Sequence, residues 1–319
     1  GIFVAILIHI TSCDVGAGLP PAAAGLERWP LYVFVLSAIG CLFACHLQQA
    51  GLAVRLIGRR PEHGVRRIRL NTDNGEQEQV FAPDHPAQPI THLLITVKAH
   101  QTTAALQAVR QRLTAQTLIV LMQNGMGTWQ ALQDLPTRRI VVATTTEGAH
   151  RPAADRVIHA GRGETWVGTL DPRYQADAAR VCRDWSATGL VVEEDPEILH
   201  RLWQKLAINC AINPLTVLYD CPNGALLNNT EALELMQQVC REVEQVMGSA
   251  LGEKPSGLFE LAKAVSAKTS SNISSMLQDV RKQQQTEIDH ITGYLLDQAR
   301  RLGIACPCNE RILKQIKAR

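Results

Sequence analysis

Aromatic residues make up only 4% of this chain, and its charge is almost balanced: 32 Lys and Arg face 30 Asp and Glu, for a net charge of +2 over 319 residues. The absence of a broad basic field excludes general nucleic-acid binding, so an anionic ligand has to be held by a few placed side chains and backbone amides. The apolar opening stretch, residues 2–10, is too short to span a bilayer, and no Lys or Arg precedes it as in a secretory leader. No membrane partner is expected. Nine cysteines are present without a repeating frame, and Cys306 and Cys308 make neither a redox CxxC pair nor half a zinc site. Cys41, Cys45, Cys210 and Cys240 sit in apolar helical patterns, where cysteine acts as a small hydrophobe. The ten histidines show no metal-ligand spacing. No metal is expected, and the chain reads as a cytoplasmic protein.

What the chain does have is alternation. Hydrophobic residues make up 46% of it, enough for two packed domains. Short apolar runs at 31–36, 53–57, 93–97, 118–122 and 140–143 have buried-strand length, and helical patterns such as 38–50 fall between most of them. The pattern predicts an α/β, Rossmann-like doubly wound sheet. Runs 157–160 and 164–167, joined by Gly161-Arg162-Gly163, read as an antiparallel hairpin on one sheet edge. From Pro196 onward the pattern is helical, over 197–212, 230–251, 257–267, 275–302 and 310–318, and Asp195-Pro196 is a helix-start signal. The expected organisation is an atypical extension over 1–30, a nucleotide-binding domain over 31–194 and an all-α substrate domain over 195–319. Ligands favour the cleft between such domains.

A Rossmann sheet binds pyrophosphate where its first strand turns into its first helix, through G-x-G-x-x-G. Here that stretch is Val35-Leu36-Ser37-Ala38-Ile39-Gly40, with only the third glycine in place. Taken alone it fits equally a strand-turn-helix without a ligand. The second strand ends in Gly58-Arg59-Arg60 rather than in the acid that holds NAD ribose hydroxyls. A guanidinium there pairs with the 2′-phosphate of NADP, or is a solvated loop arginine.

The most informative segment runs from Leu202 to Thr216. Lys205, Asn209 and Asn213 fall at i, i+4 and i+8, one polar stripe on an otherwise apolar helix. Burying these groups without partners costs several kcal/mol. A ligand cleft accounts for the stripe, with the lysine as a tuned proton donor; an internal network with an acidic partner is the alternative.

This segment resembles the catalytic helix of the ketopantoate reductases (2-dehydropantoate 2-reductases). Further matches follow in order: Thr96-Val97-Lys98-Ala99, Gln123-Asn124-Gly125-Met126-Gly127, Thr144-Thr145-Thr146, Cys221-Pro222-Asn223-Gly224, Asn272-Ile273-Ser274-Ser275-Met276-Leu277-Gln278-Asp279 and Thr286-Glu287-Ile288-Asp289. The similarity runs from about residue 31 to the C-terminus. It implies an NADPH-dependent reduction of ketopantoate to pantoate, for pantothenate and coenzyme A synthesis, with Lys205 as general acid. By the same resemblance Asn209, Asn213, Asn223 and Ser275 hold the substrate, and Glu287 lies near the cofactor ribose and Lys205, within the catalytic set. Ser37, Ala38, Ile39, Gly40, Arg59 and Lys98 match NADP(H) contacts; Asn124, also near the substrate, and Ala149 match the nicotinamide side. The implied partner is a small-molecule keto acid, bound by a monomer or homodimer.

Simpler readings stand beside some of these matches. Asn124-Gly125 and Asn223-Gly224 are good turns, and Ser275 with Gln278 fits a helix capping box. The glycine loop departs from the family, and Ser37 puts a Cβ where backbone meets phosphate. A shifted reading frame joins this departure to the odd first thirty residues. Gly-Ala-Gly codons GGT-GCT-GG read one base late give GTG-CTG, which is Val-Leu, and residues 1–30 are then artefactual. Sequencing the gene tests this: an intact frame encoding Val35-Leu36-Ser37 ends the idea. A damaged loop also leaves open a catalytically dead metabolite-binding protein, and the stripe alone leaves open a reductase of a related 2-keto acid.

Overall fold

The structure, a computed structural model, describes residues 31–34, 37–58 and 64–319. Residues 1–30, Val35, Leu36 and Arg59 lie outside them, and with them the expectations about the extension, the first two loop positions and the Arg59 phosphate contact.

Strands β1 (Leu31–Phe34), β2 (Val54–Ile57), β5 (His92–Ile95), β6 (Leu118–Leu121), β7 (Ile140–Thr145), β10 (Glu164–Gly168) and β11 (Val191–Glu194) form one seven-stranded sheet, ordered β11-β10-β7-β6-β5-β1-β2. Pairing is parallel from β2 across to β7, and β10 then runs antiparallel to β7. The central strands are apolar on both faces because both are covered. Leu93, Ile95, Ile119, Leu121 and Val142 point into one core, and Leu94, Leu118, Val120, Val141 and Ala143 into the other.

Helix α1 (Ala38–Gln49) crosses the second face and is itself roofed by a four-stranded sheet of β3 (Arg66–Thr72), β4 (Gly75–Phe81), β8 (Gly148–Ala153) and β9 (Arg156–Gly161), ordered β4-β3-β9-β8. Cys41, Leu42, Phe43, Ala44, Cys45 and Leu47 are wholly buried between the sheets. The expected hairpin of 157–160 and 164–167 is corrected here. Strand β9 pairs with β3 and β8, while β10 joins the larger sheet, so Gly161-Arg162-Gly163 carries the chain from one sheet to the other. The β3–β4 hairpin went unread because only its inner residues Ile68, Leu70 and Phe81 are buried; apart from Gly75 and the exposed Val80 the rest is charged or polar.

Helices α2 (Thr102–Val109) and α3 (Gln175–Ser186) complete the sheet half. The helical half comprises α4 (Ile198–Leu218), α5 (Thr230–Leu251), α6 (Leu258–Lys268), α7 (Ser275–Arg281), α8 (Thr292–Leu302) and α9 (Pro307–Lys317), and its apolar faces share one core with the sheet. Among the described residues no helix is long and apolar enough to cross a membrane.

Two helix ends differ from expectation. Helix α4 continues past residue 212, through the buried Pro214, to Leu218. Proline removes one backbone bond and normally ends a helix, but packing around Leu215, Thr216 and Val217 holds this one. The helix expected over 275–302 is two helices. Gln283, at φ +52°, turns the chain out of α7, and a short turn at Ile288–His290 precedes α8. No Gly or Pro marks that break, yet it carries Glu287 back to the sheet.

Candidate active site

Helix α4 is buried on nearly every side, and Lys205, Asn209 and Asn213 fall on its less buried strip. Lys205 reaches the C-terminal edge of the sheet, where its Nζ donates to the Thr145 carbonyl at 2.9 Å. Desolvation brings the ammonium down to about 8, and the nearby negative charge of Glu287 only partly offsets it. No carboxylate forms an ion pair with Lys205 among the described residues. The acid nearest to the internal-network reading is Glu287, which acts on Lys205 through its charge and not through an ion pair.

Glu287 is buried at 6% exposure, facing the loops of the sheet. Its Oε1 accepts the Ala99 amide at 2.9 Å, and its Oε2 accepts Asn124 Nδ2 at 3.4 Å. Burial pushes its carboxyl up, against the hydrogen bond from Ala99 and the charge of Lys98. Asn124 is held because Gly125 takes φ +77° with its Cα against the His290 carbonyl, which accepts the Met126 amide at 2.9 Å. The turn reading of Asn124-Gly125 is met, and the turn aims the carboxamide at Glu287.

Lys98 pairs with the buried carboxylate of Asp279 on α7. That partner was hidden in sequence inside the matched 272–279 segment. Lys98, Asn124, Lys205 and Glu287 therefore gather at one seam between sheet and helices.

The substrate-side residues are more spread out. Asn223 is buried; its Nδ2 donates to Thr269 Oγ1 at 2.9 Å and its backbone amide to the Asn272 carbonyl at 3.0 Å, while its Oδ1 has no partner. The capping expectation for Ser275 shifts by one residue. Ser274 caps α7, accepting the Leu277 amide at 3.1 Å and bonding Thr216 Oγ1 at 2.6 Å, so Ser275 opens the helix exposed. The Thr216–Ser274 bond ties that end of α7 to α4 just beyond Asn213. Ala149 lies in β8 and packs against the core around α1.

At the first crossover, Ser37 takes an extended φ of −112°, which an L-residue adopts without strain, and its Oγ accepts the Gly40 amide at 3.0 Å. The first turn of α1 contains no acid, and Ala38 and Ile39 stay half-exposed. The Arg66 guanidinium packs directly over Gly58 at the end of β2, and Arg66 and Arg151 both act electrostatically on Cys41 in α1. A helix N-terminus with guanidinium groups near it fits the phosphates of a dinucleotide. Sequence gave Arg66 no part, because β3 itself went unread.

A doubly wound sheet, a helix N-terminus at its first crossover and a desolvated lysine at the seam with a helical half together define a dinucleotide-dependent oxidoreductase. Residues 36–172 match the family model described as Ketopantoate reductase PanE/ApbA, and residues 197–319 its C-terminal companion. A 2-dehydropantoate 2-reductase of Vibrio cholerae is 37% identical over 288 residues, covering 88% of this chain and 94% of that protein. One from Archaeoglobus fulgidus is 28% identical over 282 residues, covering 88% and 94%. A PanE/ApbA family ketopantoate reductase structure from Ralstonia eutropha aligns with TM-score 0.80 at 26% identity, over 91% of this chain and 98% of that one. D-mandelate dehydrogenase shares the fold, with TM-score 0.81 at 20% identity over 91% and 98%. The chain belongs to the ketopantoate reductase family.

Proposed function

We propose that this chain reduces 2-dehydropantoate to pantoate with NADPH, acting on a small molecule in the cytoplasm as a monomer or homodimer, without nucleic-acid or membrane partners. The observation that carries the chemistry is Lys205, desolvated, in no ion pair among the described residues, its Nζ held on the Thr145 carbonyl at 2.9 Å.

NADPH, when bound, supplies the hydride for the keto carbon. The residues of the chain handle the charge and the proton. As the carbonyl oxygen gains negative charge, the Lys205 ammonium stabilises it and then donates its proton. Thr145 uses one lone pair to aim that ammonium and leaves it further protons for the substrate. Asn209 and Asn213 offer donors and acceptors along the same strip, suited to the carboxylate and hydroxyl of a hydroxylated 2-keto acid. Glu287, fixed by the Ala99 amide, is an acceptor for a ribose hydroxyl and keeps the region near Lys205 negative. The amides of Ala38 and Ile39 address the pyrophosphate, the Gly40 amide being held by Ser37 Oγ, while Lys98, near Glu287, offers a further cofactor contact.

The test is NADPH oxidation, followed by absorbance, on adding ketopantoate. The wild-type chain turns over, and Lys205→Ala loses roughly 10²–10⁴ in rate. Preference for another acid in a panel of 2-keto acids overturns the substrate assignment. A second reading, a folded chain that no longer holds NADPH, draws on the two replaced glycines. The unstrained Ser37 and the acid-free first turn of α1 speak against it, and an NADPH titration with no saturable binding supports it.

A further inference from the structure

Glu147 is a buried carboxylate that the chemistry above does not use, and its side chain is only 2% exposed. It sits two residues beyond Thr145, whose carbonyl receives Lys205. Its Oε2 accepts the Gly163 amide at 3.0 Å and the His159 ring Nε2 at 2.6 Å. One carboxylate oxygen thus ties the end of β7 to the β9–β10 crossover and to the smaller sheet.

The surrounding contacts are built around the same turn. The Glu147 amide donates back to Thr145 Oγ1 at 3.1 Å, and that hydroxyl pairs with Thr165 Oγ1 at 2.9 Å. The Thr146 amide donates to the Glu164 carbonyl at 2.9 Å, and the Glu164 amide to Thr146 Oγ1 at 2.9 Å. Gly163 has no room for a side chain, because a Cβ there would overlap the Thr146 carbonyl and the Glu147 amide. Behind the pair, the His46 ring on α1 meets His159 edge-on at 5.6 Å, closing the pocket from the helix side. Burying a carboxylate is costly unless it is paired and hydrogen-bonded. Here the bonds it makes anchor the turn that follows the Lys205 acceptor to the β9–β10 crossover and to the smaller sheet.

We propose that Glu147, gripping Gly163 and His159, is a positioning residue that sets the Thr145 carbonyl and through it the Lys205 ammonium. This inference rests on the reading of Lys205 as proton donor. A carbonyl bond stabilises the charged form of the lysine, so a displaced carbonyl lowers its proton affinity as well as misplacing the proton. A carboxylate that served only to hold the two sheets together would alter stability and leave Lys205 titrating as before.

The experiment measures kcat/KM against pH for wild type, Glu147→Ala, Glu147→Gln and His159→Gln, each checked by thermal melting. Glu147→Ala is expected to lower kcat roughly tenfold and to move the high-pH limb of the profile down by about one pH unit. Glu147→Gln keeps an acceptor for Gly163 and is expected to restore most of both. If Glu147→Ala does not fold, His159→Gln, which leaves the Gly163 bond in place, is expected to move the limb in the same direction by less. Variants that melt earlier but keep the wild-type kcat and limb overturn the inference. Loss of rate in Lys205→Ala alongside unchanged Glu147 variants defeats this inference alone; an undiminished Lys205→Ala defeats the reading beneath it.

Discussion

The Lys98 ammonium and the Asp279 carboxylate, 181 residues apart in sequence, form an ion pair across the seam between the sheet and the helical half. Asp279 is 8% exposed on its side chain and Lys98 28%, so the pair is shielded but not sealed. Removing one partner of a shielded pair strands the other's charge. Asp279→Ala is expected to destabilise by about 1–3 kcal/mol. Lys98→Met combined with Asp279→Ala should cost less than the sum of the two single changes. Urea midpoints of the four proteins check this, and strict additivity refutes the coupling.

Lys205 gives a pH dependence with a definite sign. Its folded value of about 8 lies below the ordinary lysine value of 10.5. Between those limits the unfolded chain holds more protons than the folded one, so stability rises with pH across that window. The full difference is on the order of 3 kcal/mol, and at lower pH the charged lysine costs the fold that much. Lys205→Met is expected to abolish this rise in urea titrations from pH 7 to 10.5. Activity runs the other way: the donor must be protonated, so kcat/KM for the keto acid falls as pH rises through about 8.

The sheet and the Lys205 strip were legible because both are written in local patterns of apolar and polar residues. Continuous apolar runs in β5, β6 and β7, and an i, i+4, i+8 spacing on α4, are local signals that packing reinforces. Contacts set by a chain reversal were hidden. Glu287 meets Ala99 only because α7 stops at Arg281, and Gln283 adopts a left-handed turn that no Gly announces. Arg66 reaches Gly58 through a hairpin whose outward face is charged, which masks the strand period. Thr145 stood in the matched run Thr144-Thr145-Thr146, but its contact with Lys205 was hidden, since it acts through a backbone carbonyl.

Gly125 is a site where space and backbone both forbid substitution. It adopts φ +77°, and a Cβ there would fall on the His290 carbonyl. Gly125→Ala therefore strains the turn and pushes the sheet away from the chain segment that carries Glu287. A loss of about 2 kcal/mol or more is expected, with the melting temperature lower by several degrees. Asn124 should lose its aim, so the residual enzyme should also show a raised KM for NADPH. An unchanged melting curve refutes the packing argument, and an unchanged KM refutes the aim.

Asn209 and Asn213 separate stability from binding. Both lie on the less buried strip of α4, and neither carboxamide is engaged by another side chain or backbone group in the described residues. Truncating either one strands no internal partner, so the fold should lose at most about 0.5 kcal/mol. A hydrogen bond to a charged carboxylate is worth about 1.5–3 kcal/mol, which converts to a tenfold or greater rise in KM for the keto acid. On the proposed assignment these groups address the substrate and not the reacting carbonyl, so kcat should fall less than in Lys205→Ala. Steady-state kinetics of Asn209→Ala and Asn213→Ala, with melting curves alongside, decide the matter. Variants that melt much earlier yet keep the wild-type KM would make the two asparagines structural, leaving the lysine without a substrate-holding strip beside it.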